Sequence, residues 1–247
     1  MSQQKRLRIF AGPNGSGKST IINIVTEHSV DMGVYVNADE IKKEFQKKEF
    51  LKFEPYGLYV TEKELKDELL SSSFFHPEKQ DEVSDVVFVE SNKLYCRNSQ
   101  YYDLISTFAA DFIRNRLLGN CLKFTFETVM SHPSKIDFIK KAVESGYKTY
   151  LYFVSLENPE LNIERVKARV QLLGHDVPED KIESRYYRTM DLLFEAIKEV
   201  DKAYFFDNSG SKSVFFADYS NSVIEIFEPE KVPQWFYTYV LNKIKSH

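Results

Sequence analysis

The 247-residue chain is short of several residue types, and each shortage removes a class of protein. Two cysteines, Cys96 and Cys121, cannot build a disulfide framework or a metal-type cluster, so free thiols in a reducing compartment are expected. No apolar run approaches the length of a membrane span. The opening Met1-Ser2-Gln3-Gln4-Lys5-Arg6 lacks the apolar core of a secretory signal, so the expectation is a cytoplasmic chain without a membrane partner. Basic charge is not in excess: the net charge of −4 argues against a nucleic-acid partner, though not against a small phosphorylated substrate held by a few arginines. Internal repeats and low-complexity stretches are missing as well. What is abundant is aromatic, with 20 Phe and 15 Tyr pointing to a core rich in rings.

Of only nine glycines, three stand at positions 12, 15 and 17, inside Gly12-Pro13-Asn14-Gly15-Ser16-Gly17-Lys18-Ser19-Thr20. This stretch satisfies the phosphate-loop pattern G-x-x-x-x-G-K-[ST]. Its context fits: Leu7–Ala11 reads as a buried strand, and the run after Lys18 opens a helix with apolar positions at 21, 22, 24 and 25. Glycines let successive N–H groups turn inward around a polyphosphate, and the helix adds the positive end of its dipole. Lys18 is expected to reach the β- and γ-phosphates and Ser19 to ligate Mg²⁺, so the cofactors called for are ATP and Mg²⁺.

Further along, Gly33–Asn37 reads as a strand ending at Asp39, before a helix Glu40–Glu49. A carboxylate at the exit of a strand faces the crevice where open α/β sheets bind ligands. Asp39 is a candidate general base or a water-mediated Mg²⁺ contact, and equally a helix N-cap. Residues 50–100 read as an insertion: a helix Glu62–Leu70, a polar loop Ser71–Asp85 with His76-Pro77, and an extra strand Val86–Val89. A helix follows over Tyr101–Leu118. Leu122–Phe126 is a third strand with Glu127 and Thr128 at its exit, where Glu127 orients a substrate, holds Mg²⁺ through water, or faces solvent. Ser134 is read as the N-cap of a helix Lys135–Ser145, and Tyr147–Leu156 as a fourth strand.

Residues 158–200 are helical and carry Arg165, Arg169, Arg185 and Arg188, with a break at Gly174-His175-Asp176-Val177-Pro178. Arginines on a helical segment after the fourth strand suit a lid that closes over a transferred phosphoryl group. Ala203–Asp207 is a fifth strand, and Asn208 in the loop beyond it is a candidate contact for an adenine ring or a simple turn residue. Ser213–Asp218 and Ser222–Phe227 alternate like a hairpin. Pro233–Ile244 reads as a closing helix with Trp235 in the core.

These motifs, in this order, resemble the zeta-toxin-like phosphate-loop kinases, including the group often described as predicted ABC-type ATPases. The resemblance rests on Gly12–Thr20, Asn37-Ala38-Asp39-Glu40-Ile41, Phe126-Glu127-Thr128, Glu164-Arg165-Val166, Gly174–Pro178, Arg185-Tyr186-Tyr187-Arg188 and Phe206–Gly210, and covers residues 6–48 and 101–210. It implies a three-layer α/β P-loop kinase-like fold with a mostly parallel five-stranded sheet; residues 50–100 depart from the family as an insertion, and with the helical lid at 158–200 the whole is expected as a single domain over 1–247. Zeta toxins transfer the γ-phosphate of ATP to the 3′-hydroxyl of the sugar in UDP-N-acetylglucosamine. By motif match, Lys18 binds phosphate, Asp39 is the base, Glu127 and Thr128 touch the substrate, and Arg165 is the first lid arginine. The second is Arg185 or Arg188. An antitoxin protein is the implied partner.

Two other readings use the same loop. A nucleoside or polynucleotide kinase shares the core, although the acidic balance disfavours a long nucleic-acid acceptor. A non-transferring ATPase switch is disfavoured because neither a Leu-Ser-Gly-Gly-Gln nor an Asn-Lys-x-Asp motif occurs.

Overall fold

The computed structural model describes residues 3–72, 75, 77–171 and 177–245, and the chain divides into two compact units, 1–33 with 122–247 and 34–121. In chain order the first unit opens with β1 (Arg6–Ala11) and α1 (Lys18–Glu27). The second holds β2 (Val34–Val36), α2 (Ala38–Lys48), β3 (Phe50–Lys52), α3 (Glu62–Ser71), α4 (Pro77–Val86), β4 (Val87–Glu90), β5 (Lys93–Cys96) and α5 (Tyr102–Leu117). The first unit resumes with β6 (Lys123–Thr128), α6 (Ser134–Glu144), β7 (Lys148–Ser155), α7 (Pro159–Gln171), α8 (Glu179–Glu199), β8 (Lys202–Asp207), β9 (Val214–Ser220) and β10 (Val223–Ile226). Residues 234–245 close it as an irregular helix whose middle, Tyr237–Leu241, is of π type.

Within the first unit six strands hydrogen-bond in the order β10-β9-β8-β7-β1-β6. The four from β8 to β6 are parallel, and β9 and β10 continue the sheet antiparallel. The expected count of five strands is therefore too low. The terminal hairpin extends the sheet because β9 pairs with β8 from Lys202↔Ser220 to Asp207↔Val214. Two-sided burial explains the apolar strands: Leu7, Phe10, Phe124, Phe126, Leu151 and Phe153 are all buried, on both faces. Ile21 of α1 packs with Phe10, Tyr152 and Val154 on one face. Phe138 of α6 meets Phe124 and Phe126 edge-on from the other, at 6.4 and 5.4 Å between ring centroids. Helix, sheet and helix make the three layers of an α/β fold.

Where the chain leaves and re-enters this unit, Asp31 accepts from the Lys123 ammonium at 2.6 Å and from the Gly33 N–H at 3.0 Å. The Lys123 hydrogen bond, then the Gly33 one, hold the Asp31 carboxyl below the ordinary carboxylate range. Asp201 locks the starts of β7 and β8 together, its Oδ2 accepting from both N–H and Oγ1 of Thr149 at 2.8 and 2.9 Å.

The second unit carries a three-stranded antiparallel sheet, β3-β5-β4, which the sequence reading reduced to a single strand. Ser91 and Asn92 join β4 to β5 with φ of 49° and 59°, the two-residue turn that suits a hairpin's twist. The polar stretch read as a loop contains α4 at Pro77–Val86, with Val83 buried. His76 lies outside the described residues. Phe45 of α2 stacks on Tyr102 of α5, and Lys42 pairs with Asp103 at 2.6 Å. Burial and then Glu40 and Glu44 push the Tyr56 phenol up to about 12.

The C-terminal segment is core. Trp235 is buried, packing on Phe153 and Phe216 at 5.7 Å from each while its Nε1–H donates to Asp207 Oδ1 at 3.1 Å. Trp235→Ala is expected to lower unfolding stability by about 3–5 kcal/mol, read by urea denaturation, whereas Trp235→Phe should cost less. Equal midpoints for the Ala variant and the parent would place the ring outside the core.

Candidate functional site

Parallel register brings the site together in the first unit. In β1 and β6, Phe10 stands opposite Glu127 and Ala11 opposite Thr128, so the loop after β1 begins level with the end of β6. Lys18, the first residue of α1, is buried and places its Nζ 3.7 Å from Glu127 Oε1. The same ammonium donates to the carbonyls of Gly12 at 3.0 Å and Pro13 at 3.1 Å, closing the loop on itself. Thr128, half-buried beside it, accepts from the Met130 N–H at 3.1 Å through Oγ1. Thr189 of α8 fixes the next turn, its hydroxyl donating to the Val129 carbonyl at 2.8 Å.

The loop has no room for side chains at its bends. A Cβ on Gly12 would lie 2.0 Å from the Val154 carbonyl oxygen, and Gly17 sits at φ +91° with Asn208 Nδ2 2.1 Å from where its Cβ would be. Gly17 is also the N-cap residue of α1, and no side chain caps that helix end. The Thr20 N–H closes the first turn on the Gly17 carbonyl at 3.0 Å, and Ser19 and Thr20 are exposed there. A glycine-built cradle at a helix N-terminus, with a buried lysine and an exposed serine, fits a polyphosphate with its Mg²⁺.

Arg165 of α7 donates through Nη2 to the Asn208 carbonyl at 2.5 Å and to the Gly210 carbonyl at 3.3 Å. Its Nη1 lies 3.9 Å from the position a Cβ on Gly17 would take, so this guanidinium stands at the loop. Asn208 itself is buried, and its Nδ2 donates to the Ser16 carbonyl at 2.9 Å. The amide weighed as an adenine contact or a simple turn residue thus gives one N–H to the phosphate loop. Asn162, which sequence reasoning missed, does the same from α7, donating to the Asn14 carbonyl at 2.6 Å. Its one sequence signal is that it stands three before Arg165, on the same helix face. Arg188 of α8 is exposed and gives its Nε to the Ser184 carbonyl of its own helix at 3.2 Å, while Arg185 is half-buried. Residues 174–176 of the expected lid break lie outside the described residues.

Asp39 belongs to the second unit, in the first turn of α2. The N-cap of that helix is Asn37, whose side chain accepts from the Asp39 N–H at 2.8 Å. The capping role weighed for Asp39 therefore falls to Asn37, and the Asp39 carboxylate is not used as a cap. Ser134 likewise is the first residue of α6 and not its cap, which is Pro133.

On the far side of the loop, at the ends of β7 and β8, Glu157 and Asp207 converge. Ser209 Oγ donates to Asp207 Oδ1 at 2.9 Å and accepts from the Glu157 N–H at 2.8 Å. Burial, then the Asp207 charge, raise the Glu157 carboxyl above the ordinary glutamate range.

No protein-family model matches the chain. A stretch of 63 residues is 36% identical to an uncharacterized protein of Haemophilus influenzae, covering 26% of this chain and 45% of that protein. Among solved structures, a chain of the AvrRxo1-ORF1:AvrRxo1-ORF2 complex with sulphate ions superposes with a TM-score of 0.59 at 16% identity, over 92% of this chain. The same complex with ATP gives 0.56 at 15% identity, over 93% of this chain. The chain spans 62% of the length of each of those structures. At these identities the likeness is one of fold.

The raised Glu157 carboxyl has a testable sign. An acid whose folded pKa lies above its unfolded value costs no stability at low pH and full stability above the folded pKa. Glu157→Gln should match the parent near pH 4 and melt progressively higher than it toward pH 7. A difference in melting temperature that stays flat or narrows over that range would contradict the assignment.

Proposed function

We propose that the chain is an ATP-dependent kinase of the zeta-toxin type, transferring the γ-phosphate to a hydroxyl of a small acceptor of the nucleotide-sugar class, UDP-N-acetylglucosamine being the first to test. The observation that carries the reading is the loop Gly12–Ser19, whose bends exclude side chains and whose buried Lys18 pairs with Glu127 at 3.7 Å. Lys18 and the first-turn N–H groups of α1 hold the phosphates, and Thr20 extends that turn. Ser19 would hold Mg²⁺, which when bound supplies positive charge against the terminal phosphates. The likeness to a chain crystallised with ATP supports ATP as the nucleotide.

In this proposal the Asp39 carboxylate accepts the acceptor's hydroxyl proton as the new O–P bond forms. The bond between the γ-phosphorus and the bridging oxygen breaks, and ADP leaves with the electron pair. Glu127 and Thr128 orient the acceptor beside the loop. Arg165 lies at the mouth of the loop and supplies charge to the transferring group. Arg185 is the better second arginine, because the Arg188 guanidinium is already engaged on its own helix. Residues 158–200 act as the lid. The likeness to a chain solved in a two-protein complex supports an antitoxin-type partner.

Incubation with labelled ATP and a panel of nucleotide-sugars and nucleosides, with products identified by mass, tests the reading. One nucleotide-sugar should gain a phosphate, and Lys18→Met should lose both ATP binding and transfer. Asp39→Asn should lower transfer by at least about 100-fold while ATP binding stays close to the parent's. Transfer at the parental rate by the Asp39 variant would remove it from the role of base. Hydrolysis of ATP with no acceptor modified would point to the ATPase switch instead.

A further inference from the structure

Two amide side chains grip the phosphate loop from outside, on alternate residues. Asn162 Nδ2 donates to the Asn14 carbonyl at 2.6 Å and Asn208 Nδ2 to the Ser16 carbonyl at 2.9 Å. Both asparagines are buried, at 0% and 8% exposure, so neither bond competes with bulk water. In a trans peptide the C=O and the following N–H point in opposite directions. Pinning the carbonyls of Asn14 and Ser16 outward therefore turns the N–H groups of Gly15 and Gly17 the other way. The two grips come from different elements, α7 and the loop after β8. Asn208 is also the residue whose carbonyl receives Arg165, and its own N–H is fixed to the Ser155 carbonyl at 3.0 Å.

We propose that Asn162 and Asn208 are positioning residues of the nucleotide site, setting the Gly15 and Gly17 amides toward the β-phosphate by holding the preceding carbonyls away from it. This rests on the reading of the loop as a nucleotide site. Asn208 additionally ties the Arg165 guanidinium to the same loop, so the β8 exit sets the spacing between the cradle and the arginine above it. Neither asparagine needs to touch the nucleotide to do this. The effect falls on the phosphate contacts and leaves the base and ribose contacts alone.

The test is the preference for ADP over AMP, measured by calorimetry with Mg²⁺ in Asn162→Leu and Asn208→Leu, near-isosteric neutral variants that lack the donor. Each should lower the ADP-to-AMP affinity ratio about tenfold or more while remaining folded by thermal denaturation, an outcome general destabilisation would not produce. Asn162→Ser and Asn208→Ser, which keep a shorter donor, should fall between. In the parent, adding pyrophosphate should shift the Gly15 and Gly17 amide proton resonances downfield more than any others in the loop. An unchanged ratio in folded variants, or no shift at those two amides, overturns the inference while leaving nucleotide binding intact. A parent that binds neither ADP nor pyrophosphate overturns both readings together.

Discussion

A peptide plane that presents its N–H to an anion must turn the neighbouring carbonyl away, and a buried carbonyl needs a donor of its own. The phosphate loop meets that demand with side chains supplied from far along the chain. The sequence separations are 148 residues for Asn162 to Asn14 and 192 for Asn208 to Ser16. Lys18 adds a third set of bonds, to the carbonyls of Gly12 and Pro13. The conformation of a short glycine-rich stretch is thereby set by α7 and by the exit of β8 as much as by its own residues. Loops of this composition are otherwise free to sample many conformations, since glycine restricts the backbone least.

The sheet supplies the second constraint. Because β1 lies between β6 and β7 and is parallel to both, the three exits are level, with Ala11 opposite Thr128 on one side and Phe153 on the other. A carboxylate on β6 and an ammonium on α1 then meet, Glu127 Oε1 lying 3.7 Å from Lys18 Nζ. The rings that fill both faces hold the strands in this register: a slip of one residue would send Phe124 and Phe126 to the side of Lys123 and Thr125. Charge placement at the loop is in this sense a consequence of core packing.

Much of this was legible in the residues. The glycine spacing, the apolar strand before it and the alternation of later strands announced an α/β sheet with a loop at one end. What the pattern could not show was partnership across long separations. Lys18 and Glu127 were each singled out, yet nothing in the sequence pairs them. Asn162 sits in a helix as an ordinary polar residue until its buried amide is seen on Asn14. The hairpin of β9 and β10 was read from alternation. The matching hairpin of β4 and β5 was not, although Ser91-Asn92 carries the same turn chemistry as Asn221-Ser222, both pairs at positive φ. Helix α4 was hidden because its residues are mostly polar, with Val83 the apolar residue known to be buried.

The division of the first unit into two stretches of sequence has a further consequence for biosynthesis. The loop-bearing strand leaves the ribosome before its neighbours on both sides, β6 and β7, which are encoded beyond residue 122. Until they emerge, β1 has no parallel partner within its own unit, and the last donor to the loop, Asn208, follows Lys18 by roughly 10–40 s at ordinary elongation rates. A nascent chain truncated anywhere in that interval carries the complete glycine motif and no finished cradle. The carbonyls of the loop therefore gain their donors stepwise, Lys18 first, then Asn162 and last Asn208.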